Sequence, residues 1–161
     1  MATLCATALS ACGQASSPAA TTGPVSVGIS LSLSGDFADP GRAALRGYQL
    51  WADSVNGGGG ILGRRLQLTV LDDHSDPARA ARNYRTLITR DKVNLVLGPF
   101  STLLTAPSAT IAHRYGYAFI EPAGGGPAVF QAKLDNVFFA QPAPAVKNAD
   151  VLASYILSLP K

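Results

Sequence analysis

The sequence predicts an α/β fold, a parallel sheet with helices on both faces. Two observations carry that prediction. From Val25 onward, short β-branched or apolar runs alternate with longer stretches whose apolar residues recur at helical spacing. The segments between them are short and rich in Gly, Pro, Ser and Asp, the residues of turns and caps. Strands joined by helices of this length pair in parallel, because the crossover that links them lays each helix over the sheet.

Val25 to Leu31 alternates and is rich in β-branched residues, a first strand. Gly35 to Gly41 reads as a loop. A helix then carries Ala44, Tyr48, Trp51, Ala52 and Val55 on one face and stops at Asn56 and the four glycines that follow. Leu66, Leu68 and Val70 alternate along a second strand that ends at Asp72-Asp73. Asp76-Pro77 has the form of an N-cap followed by proline at the first helical position. The helix it opens presents Ala80, Ala81, Tyr84, Leu87 and Ile88. Val93 to Leu97 is a short buried strand ending at Gly98-Pro99. A helix from about Leu103 to Tyr115 leads to a strand from Tyr117 to Ile120. A last strand, Val137 to Ala140, precedes a helix with Ala149, Leu152, Ala153 and Ile156 expected to face inward. The alternation calls for a strand next, so the unit of residues 25–161 is expected to be truncated.

Composition narrows the function classes. At 161 residues the chain is long enough for one core and too short for two full domains. A net charge of +3 with no run of five or more Lys or Arg leaves nucleic acid without an electrostatic footprint. No apolar stretch is long enough to span a membrane. Both cysteines, Cys5 and Cys12, precede residue 13, so a zinc site or disulfide framework inside the domain is excluded; no metal or cofactor is expected.

The first residues have their own logic. Met1 to Ala11 is small, apolar and uncharged, like the apolar region of a secretory signal, although a basic segment before it is missing. It ends in Leu9-Ser10-Ala11-Cys12, which looks like a bacterial lipobox: an apolar residue, two small ones, and a thiol for acylation. Residues 1–12 are thus read as signal and lipobox with Cys12 as the lipid attachment, and residues 13–24 as a tether rich in Ser, Ala and Thr. Each buried acyl CH₂ contributes about 0.8 kcal/mol, so more than one chain holds a protein to a membrane stably.

In an open α/β sheet, ligands bind outside the carboxyl ends of the strands. Three such ends stand out: Leu33 to Phe37, Gly98 to Thr102, and Glu121 to Gly126. Hydroxyls and unblocked backbone N–H groups at a helix start suit a carboxylate or another small anion, while a tight turn is the plainer use of the same residues. Gly57 to Gly60 follows a helix rather than a strand and lacks Gly-Lys-Ser/Thr, so it is no phosphate loop. Asp72, Asp73, His74 and Asp76 could hold a metal but read better as a capping turn. His113 is a lone helical histidine. No Gly-x-Ser-x-Gly is present and Ser101 has no evident base, so catalysis is not expected.

The order of segments adds a family. Leu33-Ser34-Gly35, Gly41, Gly47, Asn56 with Gly59-Gly60-Ile61-Leu62-Gly63-Arg64, Asp72-Asp73 with Asp76-Pro77, and Gly98 with Ser101-Thr102 occur in series. That series resembles the N-terminal half of the leucine/isoleucine/valine-type periplasmic binding proteins. The resemblance implies two Rossmann-like lobes closing on a solute, usually an amino acid, for an ABC transporter permease, without catalysis. It also implies an extracytoplasmic setting. A ligand-binding sensor of the same fold is the alternative. Carried over, Thr102 supplies a hydroxyl to the ligand with Ser101 beside it, and Ala123, Gly124 and Gly125 form a second ligand segment. The N–H groups of Gly124 and Gly125 are expected to point at a ligand carboxylate. The chain departs at Gly125, where members often place threonine. Phe37 is a candidate wall of the cleft.

Overall fold

The computed structural model describes residues 23–141 and 145–159, so Cys5, Cys12 and most of the tether lie outside the described residues. The elements alternate as the sequence predicts: β1 (Val25–Leu31), α1 (Ala38–Gly57), β2 (Leu66–Asp72), α2 (Pro77–Thr89), β3 (Leu95–Leu97), α3 (Thr102–Arg114), β4 (Phe119–Glu121), α4 (Pro127–Gln131), β5 (Val137–Phe139) and α5 (Ala145–Ser158). The strands form one parallel sheet in the order β2-β1-β3-β4-β5. The chain winds outward from β1 to β2, then returns past β1 to build β3, β4 and β5 on the other side. Right-handed crossovers therefore send α1 to one face and α2 and α3 to the other.

The side-chain pattern of β1 records this. Val27, Ile29 and Leu31 pack with Ala52 of α1, while Tyr84 and Leu87 of α2 cluster with Val96, Phe119 and, from α3, Ala109 and Ala112. Gly28 faces α2 so closely that a Cβ there would meet Val93 at 3.0 Å and Leu87 at 3.2 Å. Burial on both faces makes β1 the central strand.

Local chemistry sets the ends. Asp76 accepts the Arg79 N–H at 2.5 Å with Pro77 at the start of α2, the cap that the sequence announces. Asn56 closes α1 against β2: its amide accepts the Leu66 N–H at 2.7 Å and donates to the Leu66 carbonyl at 2.9 Å. Helix α1 begins at Ala38, inside the expected loop, because Pro40 falls in the first turn, where an N–H has no helical partner to lose. Strand β3 begins two residues late, since the Asn94 side chain takes the Ser26 N–H at 2.9 Å in place of a strand carbonyl. Helix α4, five residues long, is too short for periodicity to betray it.

One expectation fails. Leu152 and Ile156 of α5 do not face inward; they stand 59% and 57% exposed, as do Ala149 and Ala153 in kind. The sheet shows the complementary deficit on its α1 side, where Leu95 and Phe138 are exposed and a cavity of about 470 Å³ opens beside Trp51, Leu97 and Ile120. Amphipathic spacing shows which face of a helix wants cover, not whether the described chain covers it.

Tyr84 is fully buried, and its hydroxyl donates to the Leu97 carbonyl at 2.5 Å. Tyr84→Phe keeps the ring but strands that acceptor, so a loss of about 1–3 kcal/mol is expected in urea unfolding.

Candidate functional site

The strand order reverses between β1 and β3, and their carboxyl ends diverge there. The last paired residues are Ile29 and Leu97. Beyond them, two tyrosines from opposite faces meet the carbonyls that the parting strands leave behind. Tyr84 of α2 donates to Leu97 and receives the Ser30 N–H at 3.4 Å; Tyr48 of α1 donates to the Gly98 carbonyl at 2.8 Å. Burial drives both phenols far above their ordinary range, so both remain neutral donors. Phe37, from the loop after β1, and Phe100, from the loop after β3, meet edge-to-face at 6.2 Å.

On the β2 side, the two aspartates staple the loops together. Asp73 is buried and accepts from the Ser30 hydroxyl at 3.1 Å, the Ser32 hydroxyl at 2.6 Å and the Ser75 N–H at 3.0 Å. Asp72 takes the Leu33 N–H, the His74 N–H and the Ser34 hydroxyl at 3.0, 2.9 and 2.8 Å. Burial pushes the Asp72 carboxyl up, but the donated hydrogen bonds and the His74 charge outweigh it and leave the group below the usual carboxylate range. The Asp-Asp-His-Ser run is thus a capping turn, as its spacing suggests. The Ser34 oxygen also lies 2.8 Å from His74 Nδ1, a hydroxyl–imidazole contact that the sequence separation of forty residues hides.

On the other side, the loops after β3 and β4 are bound to each other. Ser101 caps α3 by accepting the Leu103 N–H at 3.3 Å, with a φ of 88° that a side chain rarely adopts. Its carbonyl accepts from the Leu104 N–H, the Thr105 N–H and the Thr105 hydroxyl, which pin this strained residue. Thr102 is half-buried, and its oxygen accepts the Gly126 N–H at 2.9 Å; among the described residues its own proton has no acceptor. Glu121, the last residue of β4, is buried. Its Oε1 accepts the N–H groups of Ala123 and Gly124 at 2.6 and 2.5 Å, and its Oε2 takes the Thr105 hydroxyl at 2.8 Å. Gly98 makes room for it, since a Cβ there would overlap the carboxylate. The Gln141 amide, with its oxygen toward the loop, covers the Gly124, Ala123 and Gly125 N–H groups at 3.1, 3.2 and 3.2 Å.

The structure therefore gathers Ser101, Thr102, Ala123, Gly124 and Gly125 into one contiguous rim. The Gly124 N–H, expected to face a ligand carboxylate, is instead occupied by Glu121, and the Gly125 N–H faces Gln141. From the sequence, Glu121 is only the first residue of the segment after the fourth strand and Tyr48 and Tyr84 are packing residues, while Thr105 carries no signal of its own. The one available signal was a charged residue closing an apolar strand.

Residues 24–160 match the family described as periplasmic binding protein. The chain belongs to that family. It is 29% identical over 114 residues to an amino acid binding protein of Pseudomonas aeruginosa, covering 71% of this chain and 30% of the relative. It is 30% identical over 114 residues to Leu/Ile/Val-binding protein homolog 1 of Brucella abortus, with the same coverage of 71% and 30%. Among solved structures it resembles the branched-chain amino acid transporter substrate-binding protein LivJ of Streptococcus pneumoniae, in complex with isoleucine. There the TM-score is 0.68 at 30% identity, covering 72% of this chain and 33% of that one. An ABC transporter substrate-binding protein from Sphaerobacter thermophilus matches with a TM-score of 0.64 at 28% identity, over 72% and 32%. The leucine/isoleucine/valine-type resemblance and the α/β sheet of the type 1 periplasmic-binding fold are both met. The periplasmic binding protein described here spans 30% of the length of each of these two curated relatives.

Strain at Ser101 is open to test. Ser101→Gly removes the steric cost of a positive φ, of order 1–3 kcal/mol, and forfeits only a few tenths for the cap. A raised midpoint in urea is the expected result.

Proposed function

We propose that this chain is the N-terminal lobe of an extracytoplasmic solute-binding protein that delivers an amino acid or a similar small polar solute to an ABC transporter permease. The observation that carries the reading is Thr102. It stands at the carboxyl edge of the sheet beside the switch point, its oxygen accepting from Gly126 and its proton uncommitted among the described residues. Neither flanking loop, Gly98 to Thr102 or Glu121 to Gly126, contains Arg or Lys, so a zwitterion or neutral polar solute suits the rim better than a phosphate. The likeness to an amino acid binding protein and to a structure holding isoleucine supports the same class.

Binding rather than catalysis fits the remaining chemistry. Ser34, His74 and Asp72 form a closed triangle, with Asp72 against both the hydroxyl and, at 3.4 Å, the imidazole Nε2. A relay needs the hydroxyl to give its proton to the imidazole, whereas the Ser34 hydroxyl donates directly to Asp72 at 2.8 Å. Asp72 acts here as a turn staple.

A single lobe leaves a solute open to water, so the second lobe of the family is required for measurable affinity. In a two-lobed protein carrying this lobe, Thr102→Ala removes a hydrogen bond to a charged partner. An affinity loss of roughly ten- to a hundredfold for the solute is expected by calorimetry across amino acids, amides and small carboxylates. Unchanged affinity would remove Thr102 from the site.

The proposal extends to anchoring through Cys12, on the strength of Leu9-Ser10-Ala11-Cys12 and the tether behind it. Cys12→Ser is expected to shift the protein from the detergent phase to the aqueous phase, or to block processing. Identical partitioning of both forms would refute the anchor.

A further inference from the structure

The rim holds one proton too few for its hydrogen bonds. Thr105 Oγ1 lies 2.9 Å from the Ser101 carbonyl and 2.8 Å from Glu121 Oε2, and both positions call for its single hydroxyl proton. With Glu121 ionised, only one of the two can be served. A proton on Oε2 resolves the conflict. The acid then donates to Thr105 Oγ1, Thr105 donates to the Ser101 carbonyl, and Oε1 still accepts the Ala123 and Gly124 N–H groups. Every polar atom of the cluster is satisfied in that state.

We propose that Glu121 is a positioning residue of the solute site, a proton-operated clasp that joins the loop after β3 to the loop after β4. Its action on solute affinity rests on the binding function proposed above; its proton coupling does not. Neutral Glu121 lets Thr105 secure Ser101, next to Thr102. Ionised Glu121 draws the Thr105 proton away and frees one bond on the strained Ser101.

The surroundings favour such a group. Glu121 is fully buried, and no Lys, Arg or His pairs with it among the described residues. The titratable groups that face it are Tyr48 from α1 and Tyr84 from α2, with Asp73 beyond Tyr84; α3 contributes the neutral Thr105 and the β5 end the neutral Gln141. Burial raises its carboxyl to about 7, the donated hydrogen bonds of Ala123, Thr105 and Gly124 offsetting only part of the rise. An acid held protonated in the fold but free to ionise when unfolded makes stability fall as pH rises, from its unfolded value of about 4.5 to its folded value near 7. Above that range the loss is complete.

The test uses the whole chain and needs no ligand. In wild type, the carbon-13 signal of the Glu121 carboxyl and the amide signals of Ala123, Gly124 and Thr105 are expected to titrate together near pH 7. Glu121→Gln, whose amide can still accept at Oε1 and donate to Thr105, is expected to hold the low-pH amide positions across the range and to flatten the stability decline. His74 and His113 are present in both proteins, so the variant separates their effects from that of Glu121. A Glu121 carboxyl that titrates in the ordinary range, or loop signals that keep their midpoint in Glu121→Gln, would overturn the clasp. Should that variant not fold, Thr105→Val serves: the carboxyl still titrates, and the Ser101 side of the rim stops following it. In a two-lobed protein, solute affinity is expected to share the midpoint and to lose it in Glu121→Gln. Loop signals that follow the proton without any change in affinity would overturn the role in the site. Failure of every solute to bind would strike the binding function and leave the coupling standing.

Discussion

The structure turns on how β1 and β3 part. Up to Ile29 and Leu97 the two strands satisfy each other; beyond that pair each carries backbone groups with no strand beside them. A buried carbonyl without a partner costs about 1–3 kcal/mol, so the opening exists only because other groups supply the missing bonds. Tyr84 from one face and Tyr48 from the other supply them. Both helices are therefore tied to the same point of the sheet, and the crevice between the strands becomes a rigid feature. The aspartate staples on the β2 side and the Glu121 clasp on the β4 side extend the same solution outward. Three polar clusters hold three loops in register around one opening.

Much of this was legible in the residues. The Asp76-Pro77 start of α2, the stop of α1 at Asn56 and the strand-helix alternation each have a local cause, and local causes leave local patterns. Strand order was not legible, because the crossover rule fixes handedness and not which strands lie side by side. What stayed hidden was long-range. Tyr84 reads from spacing as one more core residue, and nothing near it in sequence says that its hydroxyl ends at Leu97. Glu121 reads as the polar end of a strand; its partners lie sixteen residues back in Thr105 and just ahead in the loop. The uncovered stripe of α5 misled for the opposite reason, since its pattern is sound and its cover is absent among the described residues.

The comparison of the two sides of the crevice is instructive about charge. On the β2 side, Asp72 sits shallow among four favourable partners and is held ionised. On the β4 side, Glu121 sits deep, with neutral donors only, and is held toward its acid form. Similar side chains reach opposite states because desolvation grows with depth, while each hydrogen bond returns a limited amount. The crevice thus has one fixed negative flank and one flank whose charge depends on a proton.

That asymmetry bears on what the rim can recognise. Backbone N–H groups are the usual means by which a loop holds an anion, and here the loop after β4 has committed them inward, to Glu121 and Gln141. The hydroxyls of Thr102 and Ser101, whose oxygens accept the Gly126 and Leu103 N–H groups, each keep a proton to donate among the described residues. On the proposed reading, these hydroxyls suit the carboxylate of a zwitterion, and the ionised Asp72 on the opposite flank disfavours a simple anion. The absence of threonine at Gly125 moves the balance further, because the hydroxyl that could have donated there is missing, and a Cβ would press on Gln141 at 3.0 Å. Under the proposed binding function, selection for the carboxylate end of a solute would fall to the hydroxyls of Ser101 and Thr102 rather than to the backbone of the loop after β4.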